Sequence, residues 1–288
     1  MPEGLVEVAG TGLFVEHRGA KGAFPIIVLH GGPGLDHHMF GDYLDPLTDN
    51  GPFQLILVDQ RGQGRSDQSP ASQPWTIRRM ADDVTALATT LGLSSYAVLG
   101  HSFGAFVALQ HAVDAPGAAR ASVISSGLAS VRWLETVESE LAAFEPIELR
   151  EQVASSWARE QSVQTETEVG QLWADQLPFQ FADPRDPRIR DYLGRLTHAR
   201  YAPEVLRVFA QNEYGGIEVE DRLGAVPHPV LVLSGRYDRT CKMEAGRDMA
   251  SRLPDAEFVV FEKSGHMSFV EESDRYVAVV ADFLKRKV

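Results

Sequence analysis

The chain has 288 residues, 44% hydrophobic and 23% charged, with a formal charge of −13 at pH 7. This excludes a disordered or collagen-like polymer and supplies a substantial core for one large domain or two small ones. The net negative charge disfavours DNA and RNA as partners, and the single cysteine, Cys241, excludes an intramolecular disulfide and a cysteine metal cluster.

The N-terminal "MPEGLVEVAGTG" has no basic start and no apolar h-region, so no signal peptide is expected. No apolar run approaches the ~18 residues that span a bilayer. A soluble, cytoplasmic protein without a membrane partner is the expectation; oligomeric state is left open.

In chain order, "LFVEH" (13–17) alternates as a strand, and "PIIVLH" (25–30) and "QLILVD" (54–59) are buried-type strands. Between them "HMFGDYLDPLTDNG" (38–51) starts as a helix and closes at Asn50-Gly51-Pro52. Residues 76–93 place Ile77, Met80, Val84, Leu87 and Leu91 at helical spacing, with Gly92 as the stop. "YAVLG" (96–100) is a strand, "FGAFVALQHAVDAP" (103–116) a helix stopped by Pro116, and "ASVISSG" (121–127) a strand. Much later come strands "PVLVLSG" (229–235) and "EFVVFE" (257–262) and a last helix, 276–286, whose "FLKRKV" end is solvated. This alternation predicts an α/β fold: a mostly parallel sheet with helices on both faces.

Residues 128–222 show no strong strand signal. They hold Trp133, Trp157 and Trp173 among many Glu, Gln and Arg residues, and read as amphipathic helices broken by "PFQFADPRDPR" (178–188). We therefore expect a core domain of residues 1–127 and 223–288, with a helical cap of 128–222 packed over the C-terminal edge of the sheet.

"GHSFG" (100–104) sits between a strand and a helix. A serine hydroxyl is a weak nucleophile unless a base lies within hydrogen-bond reach and a carboxylate orients that base. A tight strand-to-helix turn flanked by glycines lifts such a serine above a sheet. The partners are expected later, acid before histidine. Asp238 follows "PVLVLSG" and His266 follows "EFVVFE", so Ser102, Asp238 and His266 each come just after a separate predicted strand. "HGGPG" (30–34) follows another strand with little side-chain bulk. The backbone N–H groups of Gly32 and Phe103 are the expected oxyanion donors. In "DQRGQGRSD" (59–67), Asp59, Arg61 and Arg65 are expected to form a buried structural network. Adjacent His37 and His38 should point apart, and no metal or other cofactor is expected; Cys241 is expected to pack.

These motifs resemble those of the α/β-hydrolase superfamily along nearly the whole chain. "HGGPG" with "DQRGQGRS" is similar to the proline iminopeptidase branch, which includes the tricorn-interacting aminopeptidases. That resemblance implies release of an N-terminal residue, often proline, from short peptides or amides, with the free amine held by glutamates. "FAQNEYGG" (209–216) stands where a cap glutamate is implied, which makes Glu213 the substrate-binding candidate. Some relatives carry a second such glutamate directly after the catalytic aspartate; here that residue is Arg239, of opposite charge, which would either repel an ammonium or attract a substrate carboxylate. The branch usually has "GGSWG" at the elbow, whereas His101 and Phe103 are more like general esterases.

Carboxylic-ester hydrolysis or lactonase activity on a small substrate thus stays open beside the peptidase reading, with Phe179, Phe181 and the tryptophans shaping the acyl site. Ser102 argues against the aspartate-nucleophile dehalogenases and epoxide hydrolases. Met267 stands where carbon–carbon bond hydrolases commonly carry tryptophan. A non-catalytic ligand-binding homologue is the remote alternative, and no triad member is missing.

Overall fold

The computed structural model describes residues 3–49, 52–68 and 74–288; the expected Asn50-Gly51 stop lies outside them. An antiparallel pair opens the chain, β1 (Glu3–Val8) and β2 (Thr11–Arg18). Then follow β3 (Phe24–Leu29), β4 (Phe53–Val58), α1 (Ile77–Thr90), β5 (Ala97–His101), α2 (Phe103–Asp114) and β6 (Ala121–Ser125). Between β6 and β7 (Val230–Gly235) run α3 (Glu135–Ala142), α4 (Ile147–Arg159), α5 (Glu166–Gln180), α6 (Arg188–Arg195) and α7 (Pro203–Ala210). The chain closes with α8 (Met243–Arg252), β8 (Ala256–Phe261), the single turn α9 (Ser268–Glu271) and α10 (Ser273–Lys287).

The eight strands form one sheet in the order β1-β2-β4-β3-β5-β6-β7-β8. β2 joins β4 antiparallel, and every pairing from β4 to β8 is parallel. Alternate residues of each central strand face opposite layers, as a pleated strand requires. Ile27, Leu29, Val98 and Ile124 pack with Met80, Val84 and Leu87 of α1, Val107 and Leu109 of α2, and Met249 of α8. Ile26, Val28, Leu99, Val123 and Leu231 pack on the other side with Tyr276, Val280, Phe283 and Leu284 of α10. Burial on both faces is why these strands read as continuous apolar runs rather than alternating ones. Among the described residues no helix is long and apolar enough to cross a membrane.

β1 and α8 escaped the sequence reading. β1 is an edge strand whose exposure alternates, with Leu5 54% exposed, so it shows no apolar run. α2 stops at Asp114, before Pro116, because the residue preceding a proline is driven out of helical geometry; Ala115 has φ −123° and ψ 62°. The helix expected at 38–51 is two short 3₁₀ turns, His37–Phe40 and Asp45–Leu47. The break expected from residue 178 begins later, since α5 continues through Pro178 to Gln180.

Candidate active site

β5 ends at His101, and Ser102 follows with φ 55° and ψ −121°, before α2 begins at Phe103. The Ser102 N–H donates to Ser125 O on neighbouring β6 at 2.9 Å, which pins the turn. Glycine is required on both sides for steric reasons. A Cβ at Gly100 would fall inside the Gly104 carbonyl, and one at Gly104 inside the Leu29 carbonyl. The turn therefore lets strand and helix approach closely and presents Ser102 at the C-terminal edge of the sheet. Phe103 opens α2, so its N–H has no intrahelical acceptor.

The loop after β3 lies against this turn: a Cβ at Gly31 would be 3.0 Å from Ser102 Cβ. Gly32 has φ +115°, a conformation that side chains resist, and lines the same cavity as Ser102 and Phe103. Buried His30 shapes the loop. Its Nδ1–H donates to Gly31 O at 2.8 Å, while its Nε2 accepts from Gln60 N at 3.1 Å. Burial holds the His30 pKa below its ordinary value, which suits that neutral tautomer.

Asp238 and His266 stand on the loops after β7 and β8. The His266 Nδ1–H donates to Asp238 Oδ2 at 2.8 Å, and both residues are buried. The other Asp238 oxygen accepts from the N–H groups of Thr240 and Cys241 at 2.9 and 2.8 Å, which fixes the carboxylate plane. His266 N donates to Gln180 O at 2.7 Å, and Ser126 Oγ donates to His266 O at 3.1 Å. The His101 ring packs 5.0 Å from the His266 ring; burial and that neighbour keep the His101 pKa well below its ordinary value.

Ser102 and His266 line one cavity, which encloses about 650 Å³ of non-atom space including its mouth. Gly32, Phe103, Thr240 and Cys241 bound it from the sheet side. From the α3–α7 segment and its flanks come Leu134, Trp157, Glu160, Trp173, Gln176 and Tyr214, among others. At this end sits a buried carboxylate: Glu160 accepts from Gln176 Nε2 at 2.6 Å and from the Tyr214 hydroxyl. Burial pushes its pKa up to about 7 in spite of those two hydrogen bonds.

With strand order, serine turn and loop positions in view, the family follows from one match. Residues 25–273 fit the family model described as alpha/beta hydrolase fold. The chain belongs to the α/β-hydrolase family. It is 27% identical to the proline iminopeptidase of Heyndrickxia coagulans over 98% of each chain. It is 28% identical to that of Clostridium botulinum, over 91% of this chain and 90% of that one. The crystal structure of a proline iminopeptidase from Mycobacterium smegmatis superposes with TM-score 0.76 at 27% identity, covering 99% and 98% of the two chains. This α/β hydrolase is accordingly a hydrolytic enzyme of aminopeptidase-like or esterase type.

Several sequence expectations for this hydrolase need correction. Glu213 is exposed and does not line the cavity. It and Tyr214 adopt positive φ, 49° and 51°, in a turn after α7, and Tyr214 is the residue that reaches the cavity. The cavity carboxylate is Glu160, at the end of α4. Arg239 does not line the cavity either. Its Nη1 donates to Phe179 O and Phe181 O at 3.0 and 2.7 Å, and its Nη2 to Ala182 O at 3.3 Å. Trp157 and Trp173 border the cavity, but Trp133 donates to Glu220 outside it. Phe179 and Phe181 pack in two separate apolar clusters.

In the 59–67 segment Asp59 and Arg61 each have partners of their own. Asp59 accepts from the N–H and Nδ1–H of His37 and from Arg65 N, whereas Arg61 pairs with Asp83 at 2.8 and 2.5 Å. The Arg65 guanidinium lies over Phe14, 3.8 Å from the ring centre. The His37 and His38 rings do not point apart; a 3₁₀ turn brings their centres to 4.2 Å. Asp36, His37 and His38 present ligand-type atoms within 4.8 Å of one another. Both His37 ring nitrogens, however, donate to carboxylates, Asp59 at 2.5 Å and Glu16 at 3.0 Å. Those bonds outweigh burial and raise the His37 pKa to about 9.

Proposed function

We propose that this α/β hydrolase is a serine hydrolase that releases an N-terminal residue from small peptides or amides through an acyl-enzyme. The observation that carries the reading is the buried Asp238–His266 hydrogen bond at the wall of a cavity that also holds Ser102. His266 Nε2 takes the proton as Ser102 Oγ attacks the substrate carbonyl carbon. Asp238 keeps the useful tautomer and stabilises the imidazolium. The Phe103 and Gly32 N–H groups hold the oxyanion, a contribution of roughly 3 kcal/mol for one such donor. The C–N bond breaks, the leaving amine takes the proton from His266, and water then releases the acyl group by the same steps. In the described residues Ser102 Oγ has no hydrogen-bond partner; the bond to His266 is expected to form when substrate closes the site.

Glu160 gives the reading its peptidase character. Each carboxylate oxygen keeps a lone pair beyond its bond to Gln176 or Tyr214, and that capacity suits a substrate ammonium. Buried Gln180 Oε1 and the Trp173 indole N–H, both from cavity residues, have no partner among the described residues. Unpaired polar atoms there favour a polar substrate over a purely apolar ester. The 128–222 segment, in this proposal, is the cap that reads the substrate.

The carboxylic-ester or lactone reading keeps one observation of its own. Leu35, Phe106, Leu134, Val169 and Leu172 give the cavity an apolar side. A paired assay separates the two. The wild type should cleave proline 2-naphthylamide, and E160Q should lose about 100-fold in kcat/KM on it while changing less than about threefold on p-nitrophenyl acetate. S102A should lose at least about 10⁴-fold on both without a large drop in thermal stability. Equal losses for E160Q on the two substrates would leave the ester reading.

A further inference from the structure

We infer that Arg239 and Glu271 are positioning residues that bolt the last turn of α5 to both loops of the proposed relay, so that this turn, part of the helical insertion, sets the Asp238–His266 geometry. The inference rests on the serine-hydrolase reading above.

The end of α5 exposes carbonyl oxygens that have no partner within the helix. Two loops supply the missing donors. From the β7 loop, Arg239 adjoins Asp238 in sequence and gives its guanidinium to the carbonyls of Phe179, Phe181 and Ala182. The same guanidinium lies over the Phe144 and Phe179 rings, at 5.3 and 6.0 Å. No carboxylate forms an ion pair with it among the described residues; Glu140, Asp238 and Glu271 act on its charge from farther away, and the guanidinium also faces the negative end of the helix dipole. From the β8 loop, the N–H of His266 itself donates to Gln180 O at 2.7 Å.

Glu271 closes the arrangement. Its Oε1 accepts from Ala182 N and its Oε2 from Gly265 N, both at 2.8 Å. One carboxylate thus joins the residue before His266 to the chain just beyond α5. The contact is tight as well as polar, because a Cβ at Gly265 would collide with Gln180 O. Arg188 in turn donates to the Glu271 carbonyl, which ties α6 to the same point.

Asp238 and His266 stand on separate loops, and the bond between them holds only if both loops stay in register. The last turn of α5 touches the immediate sequence neighbour of each. A shift of that turn moves Arg239 and His266 together. Arg239 does not contact substrate in this assignment, which accounts for a positive charge directly after the proposed acid.

The test measures the rate of Ser102 labelling by a fluorophosphonate across pH 5–9, together with kcat and KM on p-nitrophenyl acetate, for wild type, R239M, R239K and E271Q. Wild-type labelling that S102A abolishes upholds the serine reading; its absence overturns that reading before the variants are compared. Given labelling, R239M and E271Q should label about tenfold more slowly. Their loss should lie in kcat, with KM within about twofold and a shifted pH midpoint, and R239K should recover much of the rate. Wild-type labelling rates and midpoints in folded R239M and E271Q, or a loss confined to KM, overturn the inference. If R239M does not fold, R239K and E271Q decide: labelling at the wild-type rate in both overturns the inference, and slower labelling with a shifted midpoint in E271Q upholds it.

Discussion

Glu160, the carboxylate that the proposed reading sets against the substrate amine, is locally silent. It ends α4 in a stretch rich in Glu, Gln and Arg, and no feature of its neighbours in sequence marks it as buried. Only the approach of Gln176 and Tyr214 makes it a cavity carboxylate. Its pKa near 7 gives a pH prediction with a definite sign. Below that value the carboxyl is protonated and attracts an ammonium poorly; above it the charge is present. KM for proline 2-naphthylamide should therefore fall as pH rises through about 7, until the substrate amine loses its own proton near about 8. KM for p-nitrophenyl acetate should not follow this profile, and E160Q should remove the lower limb. Steady-state kinetics from pH 5.5 to 9 on both substrates check it. The positions of Ser102, Asp238 and His266, the proposed relay, were legible for the opposite reason. Each stands on a turn or loop one to five residues past an apolar strand, and the ends of parallel strands collect at one edge.

Between elements, α2 lies tightly against β5 at Gly100 and against the end of β3 at Gly104. This packing gives a graded prediction from two glycines of different kinds. Gly92 has φ +68° and open space around it, so G92A should cost only the left-handed backbone penalty, about 1 kcal/mol. At Gly104 a Cβ meets the carbonyls of Leu29 and His30, so G104A should cost about 3 kcal/mol and slow Ser102 labelling as well. Urea unfolding of the two variants measures the difference. Helices with a clear apolar stripe were readable; α1 starts at Ile77, where the Thr76 hydroxyl accepts from Arg79 N. β1 was not, because an edge strand with one wet face has no apolar run. Glu213 was expected in the cavity from a resemblance in position alone: consecutive left-handed residues leave its side chain exposed and bring Tyr214 to the cavity, and position in a motif does not register such a turn.

For the molecule as a whole, the charge of −13 should act on encounter. A cationic substrate is drawn by that field and a neutral one is not. Raising ionic strength from about 0.01 to about 0.15 M should lower kcat/KM for proline 2-naphthylamide several-fold and leave p-nitrophenyl acetate nearly unchanged. Unequal response of the two substrates is the observable; equal response would remove steering by net charge. Legible in the residues alone were the alternation of strand and helix, the mostly parallel sheet, and the three loops that bear hydroxyl, carboxylate and imidazole. Those are local properties, written in periodicity and in the residues just after each strand. Only the folded chain settles which carboxylate enters the cavity, that Arg239 hydrogen-bonds carbonyls at the end of α5 instead of lining the cavity, and that Arg61 pairs with Asp83. Each of those depends on segments distant along the chain meeting in space, and burial and hydrogen bonding there assign roles that residue type and spacing leave open.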